Sequence, residues 1–204
     1  MLIMIAVQLL VLALSPAAHD AARDYLAEVS SDREFRDALG PTAAVSVLSG
    51  LLIIAIAVLT MIWMFRMAKN LQIVQRVATW TPGWAIGGWF LPPSVLYVIP
   101  YLMLRDLWRG SAEEPNTHWR ANAISPLVHA WFVFYGLLPI AFITITLSGT
   151  SLRGDNLRKV ASNLDDQFAR SIVAGLVQIA AAGVYFALVR KLTQRHTRFI
   201  HETP

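Results

Sequence analysis

The sequence predicts an all-α protein, a polytopic helical membrane protein. Charged residues make up only 15% of its 204 residues and hydrophobic ones 56%, whereas a soluble domain carries about 25% charge. Several apolar runs are long enough, at about 1.5 Å per helical residue, to cross a hydrocarbon layer roughly 30 Å thick. Charge collects between the runs, acidic after the first and basic after the second and the last. These observations predict four full transmembrane helices plus a central hydrophobic element broken by proline and glycine, with five transmembrane helices as the alternative. All of it forms a single helical membrane domain over residues 1–204. The absence of cysteine removes disulfides, thiolate metal sites and cysteine nucleophiles. The net charge of +4 fits loop charge biased toward the cytoplasm rather than a nucleic-acid footprint.

Residues 1–14, MLIMIAVQLLVLAL, are apolar except for Gln8, and Pro16 follows. A signal peptide needs a positively charged start, and no Lys or Arg precedes Arg23. A membrane helix over about 1–18 is therefore predicted, extended past Pro16 with a kink or begun further upstream. Residues 19–41 set six acids against Arg23, Arg33 and Arg36. An imperfect stripe of Tyr25, Leu26, Val29, Phe35 and Leu39 predicts a short surface helix on the non-cytoplasmic side. Gly40-Pro41 predicts a stop. The carboxylates lack calcium-loop spacing and read as a solvated face.

Residues 42–65 form the clearest span, with Ser46, Ser49 and Gly50 small enough to sit against a neighbouring helix. Arg66, Lys69 and Arg76 follow at once and place this exit in the cytoplasm. Leu71, Ile73, Val74 and Val77 alternate with Asn70, Gln72, Gln75 and Arg76, predicting a basic amphipathic helix on the inner leaflet.

The stretch from Thr79 to Trp108 organises the rest. Pro82 suits a helix first turn, with Thr79 or Thr81 as cap. Gly83 and Gly87 make a G-x-x-x-G that lets helix backbones approach, and Gly88 widens that small face. Pro92, Pro93 and Pro100 remove backbone donors. Broken backbone at membrane depth needs protein or water around it. Residues 83–104 are thus either one kinked crossing or a re-entrant pair of half-helices, turning near Pro92 to Ser94 and returning by Arg105. Trp63, Trp80, Trp84, Trp89 and Trp108 read as membrane-interface anchors. The loop 105–124 is neutral, 126–148 is the next span, 149–170 a polar loop and 171–189 the last span. The tail carries Arg190, Lys191, Arg195 and Arg198. Arg66, Lys69, Arg76, Arg190 and Lys191 all lie at the inner leaflet if the central element is re-entrant. A full crossing would put the tail outside. Charge bias therefore favours the re-entrant form, while apolar length favours the crossing.

Ile62 to Trp108 also resembles a mainly actinobacterial integral-membrane family known only as a domain of unknown function (family forty-three twenty-eight). The resemblance rests on Trp63, Arg66 and Asn70, then Pro82, Gly83, Trp84, Ala85, Gly87, Trp89, Phe90 and Pro92, then Pro100 and Trp108. The tail LVRKLTQRH is similar to the family's ending. Thr81 replaces a usual serine, and the segment from Pro92 to Pro100 lacks polar residues often found there. The resemblance implies the membrane architecture and no activity.

His129 sits three residues into a span, with no second intramembrane histidine for haem ligation, and reads as a hydrogen-bonded packing residue. Gln8 and Gln178 read as interhelical hydrogen-bonding groups. No acid or base lies deep in a span, which argues against a pump or proton-coupled transporter. Ser94, Ser125 and Ser148 lack a histidine–carboxylate pair. His118, Glu113 and Glu114 share a loop without metal spacing. No catalytic residue, metal or cofactor is predicted. The expectation is a non-enzymatic, multi-pass plasma-membrane protein, an accessory or scaffolding subunit of a larger membrane complex. Its partners would be the lipid bilayer and other membrane protein subunits. The alternative is a homo-oligomeric channel, small-molecule transporter or lipid-handling protein.

Overall fold

The computed structural model describes residues 2–74, 76, 80–90, 98–112, 119–138 and 157–200. Among these residues every regular element is helical. They are α1 (Leu2–Leu26), α2 (Asp32–Ile73), α3 (Trp84–Gly87) continued by a 3₁₀ turn (Gly88–Phe90), α4 (Val98–Gly110), a 3₁₀ turn (Trp119–Ala121), α5 (Pro126–Phe132) continued by a π turn (Val133–Leu137), and α6 (Leu157–Phe199). Helices α1, α2 and α6 are long and apolar enough to cross a membrane.

Local chemistry sets the helix ends. Helix α1 runs on through Pro16 and closes in a turn where Ala27 N–H donates to Arg23 O and Val29 N–H to Asp24 O, both at 2.9 Å. Glu28 takes the left-handed conformation there (φ 61°), as helix C-termini commonly require. Ser31 and Glu34 then form a capping box. Ser31 N–H donates to Glu34 Oε2 at 2.8 Å, and Glu34 N–H donates to Ser31 Oγ at 3.4 Å. The surface helix expected over 19–41 is therefore divided between the end of α1 and the start of α2. Gly40-Pro41 is no stop: α2 passes straight through it. The proline deprives only the Asp37 carbonyl of its intrahelical donor. That turn is exposed, so water can serve instead. Ser125 caps α5, accepting from Leu127 N–H at 3.2 Å with Pro126 in the first turn. Helix α6 extends well beyond 171–189 on both sides. Neither flank contains the Gly or Pro that would end it.

The chain divides into two compact units, Met1–Ala55 with Ile145–Ala182, and Ile56–Thr144 with Gly183–Pro204. In the first, Ala22, Phe35 and Ala161 form a buried core flanked by Tyr25, Leu26, Leu39, Leu157 and Leu164. The Tyr25 ring stacks on Phe35 with centroids 4.6 Å apart. Its hydroxyl donates to Asp32 at 2.7 Å, a bond that raises the Tyr25 pKa. Buried Gln8 donates to Ser49 Oγ at 3.0 Å, the interhelical bond expected of a glutamine in an apolar helix. At the polar end, His19 and Arg23 both reach Asp165 at 3.5 Å, and Arg158 meets Glu28 at 3.2 Å.

In the second unit, Met64, Leu71, Met103, Leu107, Trp131 and Leu188 are fully buried. Thr60 and Tyr185 share a hydroxyl hydrogen bond, and Trp63 Nε1 donates to Thr193 Oγ1 at 3.1 Å. An aromatic series runs Trp89, Trp131, Tyr135, Tyr185, with successive centroids 6.2, 5.8 and 5.8 Å apart. The two described halves of the central stretch pack on each other. A Cβ built on Gly88 would lie 2.8 Å from Ile99 Cγ2 and 3.6 Å from Pro100 Cδ.

Candidate functional site

The second unit holds its polar groups where α4 ends beside the last turns of α6. A helix C-terminus leaves carbonyls without intrahelical donors. Here Arg76 supplies one, its Nη1 donating to Gly110 O at 2.8 Å and Ala112 O at 2.7 Å. A cation at this end also suits the helix dipole. The guanidinium lies 4.1 Å from the Phe199 ring centroid. Burial lowers its pKa, but arginine stays cationic. Beside it, Ser111 Oγ lies 2.9 Å from His196 Nδ1, and Asn70 Nδ2 lies 3.4 Å from His196 Nε2. A serine, a histidine and an amide in a row resemble an activated nucleophile. Ser111, however, is 0% exposed and His196 5%, so the hydroxyl is closed off from solvent here. The row fastens helix ends. Asp106, 3% exposed, lies 3.4 Å from Arg105.

On the neighbouring face lies an open cleft of about 600 Å³ lined by Trp108, Ala112, Asn122, Ala123, Lys191, Gln194, Arg195 and Arg198. Its floor is held by a reciprocal pair: Arg109 Nε donates to Asn122 O at 3.1 Å, and Asn122 Nδ2 donates to Arg109 O at 3.3 Å. Arg195 packs its guanidinium over Trp108, 5.3 Å from the ring centroid. Among the described residues its buried Nε has no hydrogen-bond partner. The described lining residues include three cations and no acid. No group of three or more metal-ligating side chains comes together among the described residues.

The structure scatters the residues singled out from the sequence. Gly83 is the N-cap of α3 and Gly87 its last residue. A Cβ on either meets nothing within 4 Å, whereas Gly88 is closely packed. Gly83 and Gly87 stand one turn apart, Gly87 N–H donating to Gly83 O at 2.9 Å, while Gly88 turns to the packing within the chain. Backbone carbonyls cap its start: Trp84 N–H donates to Thr81 O and Ala85 N–H to Pro82 O, both at 3.0 Å. Thr79, Pro92 and Pro93 lie outside the described residues. Pro100 is no break. It occupies the first turn of α4, where its missing donor has no intrahelical partner to lose.

Of the tryptophans, Trp63 is tied to Thr193, Trp80 packs edge-on to Trp84 at 5.4 Å, Trp89 faces Trp131 and Trp108 faces Arg195. Arg66, Lys69, Arg190 and Lys191 are exposed. Arg76 departs from the basic inner-leaflet face, because α2 ends at Ile73 and the side chain turns inward. The expected loop from residue 105 is helical as far as Gly110. His129 is exposed, with Nδ1 3.0 Å from the Tyr101 hydroxyl.

Ser111, His196 and Arg195 carried no signal as site residues. The clue available was spacing: Lys191, Arg195 and Arg198 recur at intervals of four and three, one face of a continued helix.

The family described as Domain of unknown function (DUF4328) matches residues 27–194. No curated protein and no solved structure matches the chain.

Proposed function

Because the chain belongs to the DUF4328 family, whose description assigns no activity, its role is read from its own residues, and we propose that it is a non-enzymatic, multi-pass plasma-membrane protein, an accessory or scaffolding subunit of a larger membrane complex. The contrast between adjacent glycines carries this reading. Gly88 serves packing within the chain, while Gly83 and Gly87 face open space beside exposed Trp84, Ile86 and Phe90. Small residues among large apolar ones let a second helix backbone come close in a bilayer. The buried polar side chains fasten this chain's own elements, consistent with a structural part. Gentle extraction followed by native mass spectrometry tests the proposal. A hetero-oligomer is expected, reduced to the single chain by Gly87→Leu, whose Cβ meets nothing within 4 Å among the described residues. A stable wild-type monomer with no co-purifying chain would count against it.

The cationic cleft favours a second reading, a homo-oligomeric channel, small-molecule transporter or lipid-handling protein. Flux or lipid scrambling in liposomes would support it, and inactive liposomes would remove it.

A further inference from the structure

We propose that the cleft bounded by Trp108, Asn122, Lys191, Gln194, Arg195 and Arg198 binds a phosphate-bearing anion, supplied by the headgroup of an acidic phospholipid. The proposal needs only that α6 crosses the membrane, and it holds under either reading above. Three features of the site converge on it.

The first is charge. Lys191, Arg195 and Arg198 line one side, with no acid among the described lining residues. Three cations on one concave face repel each other unless an anion sits between them. Arginine forks and a lysine point charge are the side chains that suit phosphate oxygens.

The second is the buried donor. Arg195 Nε is shielded from water and has no acceptor among the described residues. Buried donors in folded proteins are almost always paired, and a small turn of the Arg195 guanidinium would bring this donor to an oxyanion in the cleft. Trp108 holds the guanidinium in place from one face. The order at this site therefore precedes the ligand, which lowers the cost of binding.

The third is depth. The apolar run of α6 ends at Val189, and the lining residues begin at Lys191. At about 1.5 Å per residue, Lys191 to Arg198 lies roughly 3 to 14 Å beyond the hydrocarbon edge. A headgroup layer is about 5–8 Å deep, so Lys191 stands within it, while Arg195 and Arg198 stand beyond it on a helix whose side chains lean back toward its N-terminus and hence toward that layer. Trp108 is a side chain favoured at the same level. The volume, about 600 Å³, is within the range of small-ligand sites and large enough for a glycerophosphate group with water.

The test uses the full chain in mild detergent, titrated with phosphatidylglycerol, phosphatidylcholine or inorganic phosphate, with bound species counted by native mass spectrometry. Phosphatidylglycerol is expected to be retained most strongly, because the choline cation offsets the phosphate of the other lipid. A basic side chain near a membrane surface strengthens anionic-lipid binding by roughly fivefold. Lys191→Gln/Arg198→Gln, at two exposed positions, should therefore weaken retention about 25-fold without disturbing packing. Arg66→Gln/Lys69→Gln removes two exposed cations elsewhere and should leave it unchanged. Binding of inorganic phosphate that Lys191→Gln/Arg198→Gln abolishes would support the phosphate site and shift its source from lipid to solution. Equal losses in the two double variants, or no binding of any probe by the wild type, would overturn the proposal.

Discussion

A methyl group added at Gly88 would lie 2.8 Å from Ile99 Cγ2 and 3.3 Å from its Cβ. A β-branched side chain has little freedom to swing aside, so the backbones must part. Gly88→Ala should destabilise the protein by about 1–3 kcal/mol, measured by thermal unfolding in detergent. Gly87→Ala should be neutral to slightly stabilising in the same assay, since nothing lies within 4 Å and alanine favours a helix. Gly110→Ala should fall between them, because the contact at 2.8 Å is the movable end of Leu71. Arg76 illustrates a different dependence. Its removal leaves the carbonyls of Gly110 and Ala112 without the charged donor they share. Hydrogen bonds to a charged group contribute about 1.5–3 kcal/mol each. Arg76→Ala should cost about 3 kcal/mol, whereas exposed Arg66→Ala should stay within about 0.5 kcal/mol.

At the level of the element, the start of α2 depends on Ser31 and Glu34. Ser31 N–H and its hydroxyl both donate to the Glu34 carboxylate at 2.8 Å, and these bonds hold the Glu34 pKa below its usual value. A depressed carboxylate pKa means the folded state prefers the ionised form. The contribution is thus present above the unfolded glutamate's pKa, about 4.3, and is lost as pH falls through the lower folded value. Amide exchange in the first turn of α2 should quicken on acidification across that window. Ser31→Ala should weaken this turn by about 1 kcal/mol at neutral pH and lessen the acid response without abolishing it, because the backbone N–H of residue 31 still donates to Glu34.

The same helix shows what the amino-acid order revealed. Ser-x-x-Glu was legible as a start signal but sits nine residues before Gly40-Pro41, the stronger local punctuation. The proline is tolerated because its turn is exposed, a fact outside any local window. Gln8 was legible as an interhelical hydrogen-bonding group because an amide within an apolar run needs a partner, but that partner, Ser49, lies in another run and reads from the sequence only as a small packing residue. His196 and Arg195 were not legible. Their surroundings come from Asn70, Trp108 and Ser111, far away in the chain, and no periodicity encodes that meeting.

For the molecule as a whole, the open question of architecture is whether residues 83–104 cross the membrane or turn back. In one helix, residues 88 and 99 would stand about 16 Å apart. Instead Gly88 packs directly on Ile99 and Pro100. Helix α3 with its 3₁₀ turn comprises seven residues, and α4 thirteen. Among the described residues neither reaches the roughly 20 that a crossing requires. Two short segments lying against each other suit a re-entrant hairpin, and membrane depth would require its broken backbone to be shielded by protein or water. The topology proposed on this basis has four crossings, by α1, α2, the segment 126–148 and α6. An even number of crossings returns the chain to its starting side. The basic exit of α2 follows two crossings and the basic end of α6 follows four, so both lie in the cytoplasm, in keeping with the bias of arginine and lysine toward that side. A reporter fused after Pro204 should read cytoplasmic, as should one inserted after Lys69. Opposite sides for the two reporters would mean that the central stretch crosses and would restore five spans. The cationic cleft would then face the outer leaflet, where phosphatidylglycerol retention in detergent would be unaffected but the leaflet supplying the lipid would change.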